Sequence, residues 1–106
     1  MKNTDYTVQA YTDDTQDKTF IRLEGNVGIK NVEKIRKKTL ELVKESGQVD
    51  LTVSRAWEVD IAFLQFLYSL KKLFSETGGN VAIKLELRDD QLNMIRDKGL
   101  MEFIHA

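Results

Sequence analysis

The chain contains no cysteine, no proline and a single histidine. Without cysteine there is no disulfide, no thiolate zinc site and no cysteine nucleophile, a profile that fits the cytosol. Without proline, no strand or helix is interrupted by a missing N–H donor. His105 has no second histidine and no cysteine to join it, so neither a metal site nor a cofactor is expected. A net charge of −1 supplies no whole-molecule field to draw in nucleic acid or an anionic membrane. The longest apolar run is broken at Gln65 and ends before Lys71, far short of a membrane span. The opening, MKNTDYTVQAYTDD, lacks the apolar core of a signal peptide. The expectation is a cytoplasmic domain.

What is present is an ordinary globular balance, 42% hydrophobic and 31% charged, which argues against disorder. The 106 residues suit one domain spanning 1–106, able to bury roughly two-thirds of its unfolded surface.

Two β-like stretches open the chain. YTVQAYT puts Tyr6, Val8, Ala10 and Thr12 on one side, and TFIRLEG puts Ile21 and Leu23 on one face with Arg22 and Glu24 on the other. The polar DDTQDK between them reads as a hairpin loop. Gly25, Asn26 and Gly28 break the second strand. A helix follows, with Ile29, Val32, Ile35, Leu40 and Val43 at helical spacing, Asn31 as N-cap and Gly47 as C-cap. QVDLTVS alternates again, and RAWEV reads as a loop. A second, strongly apolar helix runs to ETGG. NVAIKLEL is the clearest strand. Asp89 or Asp90 then caps a short third helix that buries Leu92, Ile95 and Met94, stops at Gly99, and leaves Leu100, Phe103 and Ile104 to pack. The element order is β-β-α-β-α-β-α. This predicts an α/β fold with a mixed, mostly parallel four-stranded sheet and helices mainly on one face.

Asp60 stands directly before the long apolar helix. There it can accept from backbone N–H groups that otherwise lack partners, with the helix dipole adding to the attraction; aspartate and asparagine both serve in this role. On a helical wheel Phe63, Phe66, Leu67, Leu70, Leu73 and Phe74 form a core face, while Gln65, Tyr68, Ser69, Lys72 and Glu76 lie opposite. Ile61 falls with the polar group. Either the preceding loop, through Trp57, covers it, or it belongs to a contact surface.

The segments VDLTVSRAWEVDIAFLQFL, LEGNVGIKNVEKIRKK, GGNVAIKLEL and DKGLMEFI together resemble the STAS domain, the fold of bacterial anti-sigma factor antagonists. The resemblance runs from about Tyr6 to Phe103. The signature of that family reads Asp-Ser-Ser/Thr-Gly-Leu. Here Asp60 and Leu64 match, the phosphorylated serine falls at Ile61, which has no hydroxyl, and the glycine falls at Phe63. The Asp or Asn frequent in the family's central strand falls at Thr52. The resemblance implies a non-catalytic regulatory domain that binds another protein, either an anti-sigma kinase-like partner or a signalling or transport subunit. The alternative role it implies is a cytoplasmic accessory subunit of a lipid-transport ATPase or of a chemotaxis-type signalling system. Ser54, Thr52 or Ser69 could carry phosphate in place of position 61.

In that family the partner docks at this helix start. The outward stripe Ile61, Gln65, Tyr68 and Lys72, with Leu64 at its edge and Arg55 and Trp57 just before, is therefore the candidate partner-binding surface. Trp57 and Tyr68 are its expected anchors, because hot spots favour aromatics and arginine. Other signals read as ordinary surface. The basic stretch from Lys30 to Glu45 is interrupted by Glu33, Glu41 and Glu45 and has no interleaved aromatic, so it is a solvated helix face rather than a nucleic-acid patch. The pairs Asp13/Asp14 and Asp89/Asp90 sit where acids are expected, and Gly25 and Gly28 form no phosphate loop. No catalytic constellation is present, and the chain is not expected to be an enzyme.

Overall fold

The computed structural model describes residues 5–43 and 46–97. Gly99, the tail residues Leu100, Phe103 and Ile104, His105, and Lys44 and Glu45 of the basic stretch lie outside the described residues. The elements are β1 (Tyr6–Asp13), β2 (Lys18–Asn26), α1 (Val32–Val43), β3 (Gln48–Glu58), α2 (Ile61–Glu76), β4 (Asn80–Glu86) and α3 (Asp89–Asp97). They form one four-stranded sheet in the order β1-β2-β3-β4. The β1–β2 hairpin is antiparallel and the other two pairings are parallel, as the intervening helices require.

Alternation in the strands decides the layers. Ile21, Leu23, Val49, Leu51, Val53 and Val81 point to one face and are buried there with Phe63, Leu64, Phe66, Leu67, Leu70 and Phe74 of α2 and Ile35, Val43 and Ile95 of the other helices. The opposite face carries Phe20, Arg22, Asp50, Thr52 and Lys84 and is open to solvent. Its charges pair locally, Lys18 with Asp50 at 3.2 Å and Lys84 with Glu86 at 3.4 Å, and Tyr11 stacks on Phe20 with centroids 6.1 Å apart. The expected mixed sheet with helices mainly on one side is what forms. The hairpin reaches past the helix layer: Tyr6 and Val8 pack on the core, but Ala10 and Thr12 are exposed.

Several boundaries differ from the sequence reading. β2 continues through Gly25 and Asn26. RAWE is strand, not loop, because β3 carries extra residues. Leu23 pairs with Val53 but Gly25 with Ala56, and Asn26 with Glu58. Such bulges re-aim the side chains beyond them, and Arg55 takes a φ of +51° to make the step. Helix α1 begins at Val32, which leaves Ile29 in the loop and 74% exposed. Asn31 occupies the N-cap position, yet its amide donates to Asp5 and to the carbonyl of Asn26. On α2, Leu73 is 46% exposed, not core. The α2 stop is as expected. Gly78 has φ +82°, its N–H donates to the carbonyl of Ser75 and that of Gly79 to Phe74, the pattern of a Schellman turn. In α3 the cap position is Arg88. The Gln91 carbonyl accepts from the Arg88 N–H at 3.0 Å, half of a capping box, while its amide donates to the carbonyl of Ala56 at 2.8 Å. Asp89 and Asp90 therefore start the helix without capping it, and buried Gln91 ties α3 to the bulged end of β3.

Thr39 on α1 is fully buried, and its hydroxyl has no hydrogen-bond partner among the described residues. A buried orphan hydroxyl carries a desolvation cost that an isosteric methyl does not. Thr39→Val is expected to raise stability by about 1 kcal/mol, read as a higher denaturant midpoint with an unchanged slope; a lower midpoint would mean that the hydroxyl is satisfied in solution.

Candidate docking site at the start of α2

The site is built on Asp60. Its backbone is extended, with φ −141° and ψ −177°, so its side chain turns back over the first turn of α2. One carboxylate oxygen, Oδ1, accepts from the Phe63 N–H at 3.1 Å, which is the expected cap. The other, Oδ2, accepts from the Ile29 N–H at 2.7 Å, in the loop between β2 and α1. A side chain at Gly28 would bring its Cβ to 2.7 Å from that same oxygen, so only glycine lets the loop come this close.

Asp5 holds the loop from the other side. Its carbonyl accepts from the Asn26 N–H at 2.7 Å, and its carboxylate accepts from the Asn31 amide at 2.8 Å, the Asn26 amide at 3.3 Å and the Lys30 ammonium at 3.4 Å. The Asn31 hydrogen bond outweighs the opposing desolvation and, with lesser help from a backbone N–H and Lys30, holds the Asp5 carboxyl below the usual aspartate range.

The surface around Asp60 is apolar. Ile61 is 42% exposed, so nothing among the described residues folds over it. Ile29, whose N–H touches Asp60, is more exposed still. The sequence reading missed Ile29 by placing it on the core face of α1; only the three-dimensional approach of the two loops reveals it. Gln65, Tyr68 and Lys72 continue along α2 as an exposed stripe. Leu64, placed at the edge of that stripe by the wheel, is instead 2% exposed and part of the core. Arg55 and Trp57 are exposed but belong elsewhere. With Ala56 buried, they point to the other face of the sheet, where they line a groove with Thr7 and Glu24. The expected surface is thus two separate surfaces.

Two of the three alternative hydroxyls, those of Ser54 and Ser69, are hydrogen-bonded. Ser54 is buried, accepting from Arg22 at 3.2 Å and donating to Glu24 at 3.0 Å. The Ser69 hydroxyl donates to the Phe66 carbonyl at 2.9 Å. Among the described residues no group of three or more His, Cys, Asp or Glu side chains could hold a metal ion, and no helix is long and apolar enough to cross a membrane.

No protein-family model matches the chain, and no curated protein matches it. Among solved structures, the anti-sigma factor antagonist SpoIIAA in its unphosphorylated form aligns with a TM-score of 0.59 over 86% of this chain and 97% of that one, at 13% identity. The fold is that of a STAS-like domain, with the element order and mixed sheet expected of it.

Two outcomes are expected of the loop anchors. Asp60→Ala loses both hydrogen bonds and should cost about 2 kcal/mol. Asp60→Asn keeps one acceptor for two N–H groups and should fall between alanine and wild type in denaturant melts. An asparagine variant as stable as wild type would show that the Ile29 contact contributes nothing. For Asp5 the folded-state pKa is depressed, so its contribution is present above the unfolded value of about 3.9 and is lost as pH falls through the folded one. Asp5→Asn should therefore flatten the fall in melting temperature below about pH 4; an unchanged acid profile would exclude Asp5 as a source of it.

Proposed function

We propose that the chain is a non-catalytic, cytoplasmic regulatory domain that binds a partner protein through the start of α2, in the manner of an anti-sigma factor antagonist but without a phosphorylatable residue at position 61. The observation that carries this reading is the pair of exposed isoleucines, Ile29 and Ile61, on either side of the Asp60 carboxylate. Branched apolar side chains on a pinned loop and a capped helix form a preorganised contact patch, which lowers the ordering cost of association. The likeness of fold to SpoIIAA supports a regulatory role of this kind. A serine at the first helical position could hold phosphate against free N–H groups and be switched. Isoleucine keeps the outward position and offers only apolar contact, which suits a partner that stays docked.

The test is affinity capture with the wild-type domain, followed by titration of the purified partner against variants. Ile61→Glu and Ile29→Glu are expected to weaken binding more than tenfold, about 1.4 kcal/mol, with little change in melting temperature because both side chains are exposed. Lys38→Ala, on the far surface of α1, should bind as wild type. Normal binding by both glutamate variants would place the interface elsewhere.

A further inference from the structure

The strand order leaves two sheet edges, β1 and β4, each paired on one side only among the described residues. The two edges differ in chemistry. β4 carries Lys84 at its middle, a charge of the kind that blunts an edge against further pairing. β1 carries no such guard: residues 6–12 read YTVQAYT, with no charge and no proline. Its register with β2 is unbroken from Tyr6 to Asp13, so no bulge twists the edge away. The Asp5 carbonyl accepts from the Asn26 N–H, one step before the Tyr6–Gly25 pair, so Asp5 directs its backbone toward β2. Backbone direction alternates along a strand, so Val8, Ala10 and Thr12 turn their N–H and C=O groups outward. The half of β1 nearer the turn is also exposed on both faces. Ala10 and Thr12 are exposed on the helix side, and Tyr11 on the other is 66% exposed although its ring stacks on Phe20.

We propose that the β1 edge binds a second copy of this chain: two β1 strands pair antiparallel about a two-fold axis at Ala10 and join the two sheets into one. The edge fits itself. A two-fold antiparallel pairing sets outward-facing residues against outward-facing residues, Val8 against Thr12 and Ala10 against its own counterpart, with about six main-chain hydrogen bonds across the seam. Tyr11 falls opposite Gln9 of the other copy, so its exposed ring gains a cross-strand neighbour. Asp13 falls opposite Thr7, and no two charges of one sign are opposed. The neighbouring registers are worse. An axis at Gln9 sets Asp5 directly against Asp13 of the other copy, two carboxylates face to face. An axis at Val8 brings together the ends where Tyr6 and Val8 pack on the core, helix layer against helix layer. An axis at Tyr11 leaves Val8 outside the overlap. The axis at Ala10 joins the two exposed halves instead. A net charge of −1 adds little repulsion between copies, and one strand from each copy makes a small interface, so the dimer forms only at high protein concentration.

The test is sedimentation velocity of the full chain from micromolar to millimolar concentration, joined to disulfide trapping. The chain has no cysteine, so one introduced thiol reports alone. Ala10→Cys should cross-link under mild oxidation, because the two Cα atoms lie about 5.5 Å apart across the seam, inside the disulfide range. Thr12→Cys, equally a surface position, should not, because its two copies stand about 13 Å apart along the strands. Ala82→Cys on β4 should not either. Ala10→Lys and Ala10→Glu should each weaken the dimer more than tenfold, by setting like charges directly opposite, and mixing the two variants should restore it. The Ala10 and Thr12 amides of the wild type should exchange more slowly as concentration rises. A chain that stays monomeric at millimolar concentration, trapping at Thr12 or Ala82 as efficient as at Ala10, a dimer indifferent to Ala10→Lys, or a mixture no stronger than either variant would each overturn the proposal. None of these substitutions touches Ile29 or Ile61, so the outcome is independent of docking at the start of α2.

Discussion

One carboxylate joins two otherwise separate pieces of backbone. Asp60 accepts from the first turn of α2 with one oxygen and from the β2–α1 loop with the other. The helix start needs an acceptor for its orphan N–H groups, and the loop needs an acceptor for the Ile29 N–H where it crosses the end of the sheet. The glycine at 28 exists in this context, since any side chain there would displace the acceptor both elements share. Loop and helix therefore present a single surface.

The second constraint is the bulged end of β3. The extra residues between Val53 and Glu58 let the strand reach the loop, where the Glu58 carbonyl accepts from the Val27 N–H at 3.1 Å. They also turn Arg55 and Trp57 away from α2. Gln91 then closes the structure by donating to the Ala56 carbonyl inside the bulge. A backbone irregularity in one strand thus sets the position of the third helix and separates two clusters of exposed aromatic and basic side chains.

Much of this was legible in the sequence. Period-two alternation identified all four strands, and the apolar face of α2 with Asp60 before it identified the helix and its cap. What escaped was whatever depends on distance in space. Ile29 stands three residues before Val32, so spacing alone assigned it to the helix. Leu64 and Leu73 both sit at the margins of the wheel, and how α2 rests on the sheet decides which is buried. RAWE lost its strand signal because the bulge breaks alternation. The second role of Asp60 and the burial of Gln91 are contacts across 31 and 35 residues, which no local pattern encodes. The Asp-first match to the family signature located the helix start correctly, while its remaining positions, Ile61 and Phe63, follow packing and exposure at this site.

The hairpin that overhangs the helix layer has a consequence for local opening. Amides in β2 and β3 lie between paired neighbours and under the core. At the hairpin tip, Ala10 and Thr12 are exposed, and the turn is held by local hydrogen bonds, among them those of Asp13, whose carboxylate accepts from the Thr15 N–H and hydroxyl at 3.1 and 2.6 Å. Hydrogen exchange should therefore proceed there by fraying, at free energies well below global unfolding. The tip also lies at the opposite end of β2 from Asp60, so the molecule has a permissive pole and a constrained pole. Residues 14–16 are the place where an inserted tag or reporter would leave the anchored loop and the start of α2 undisturbed.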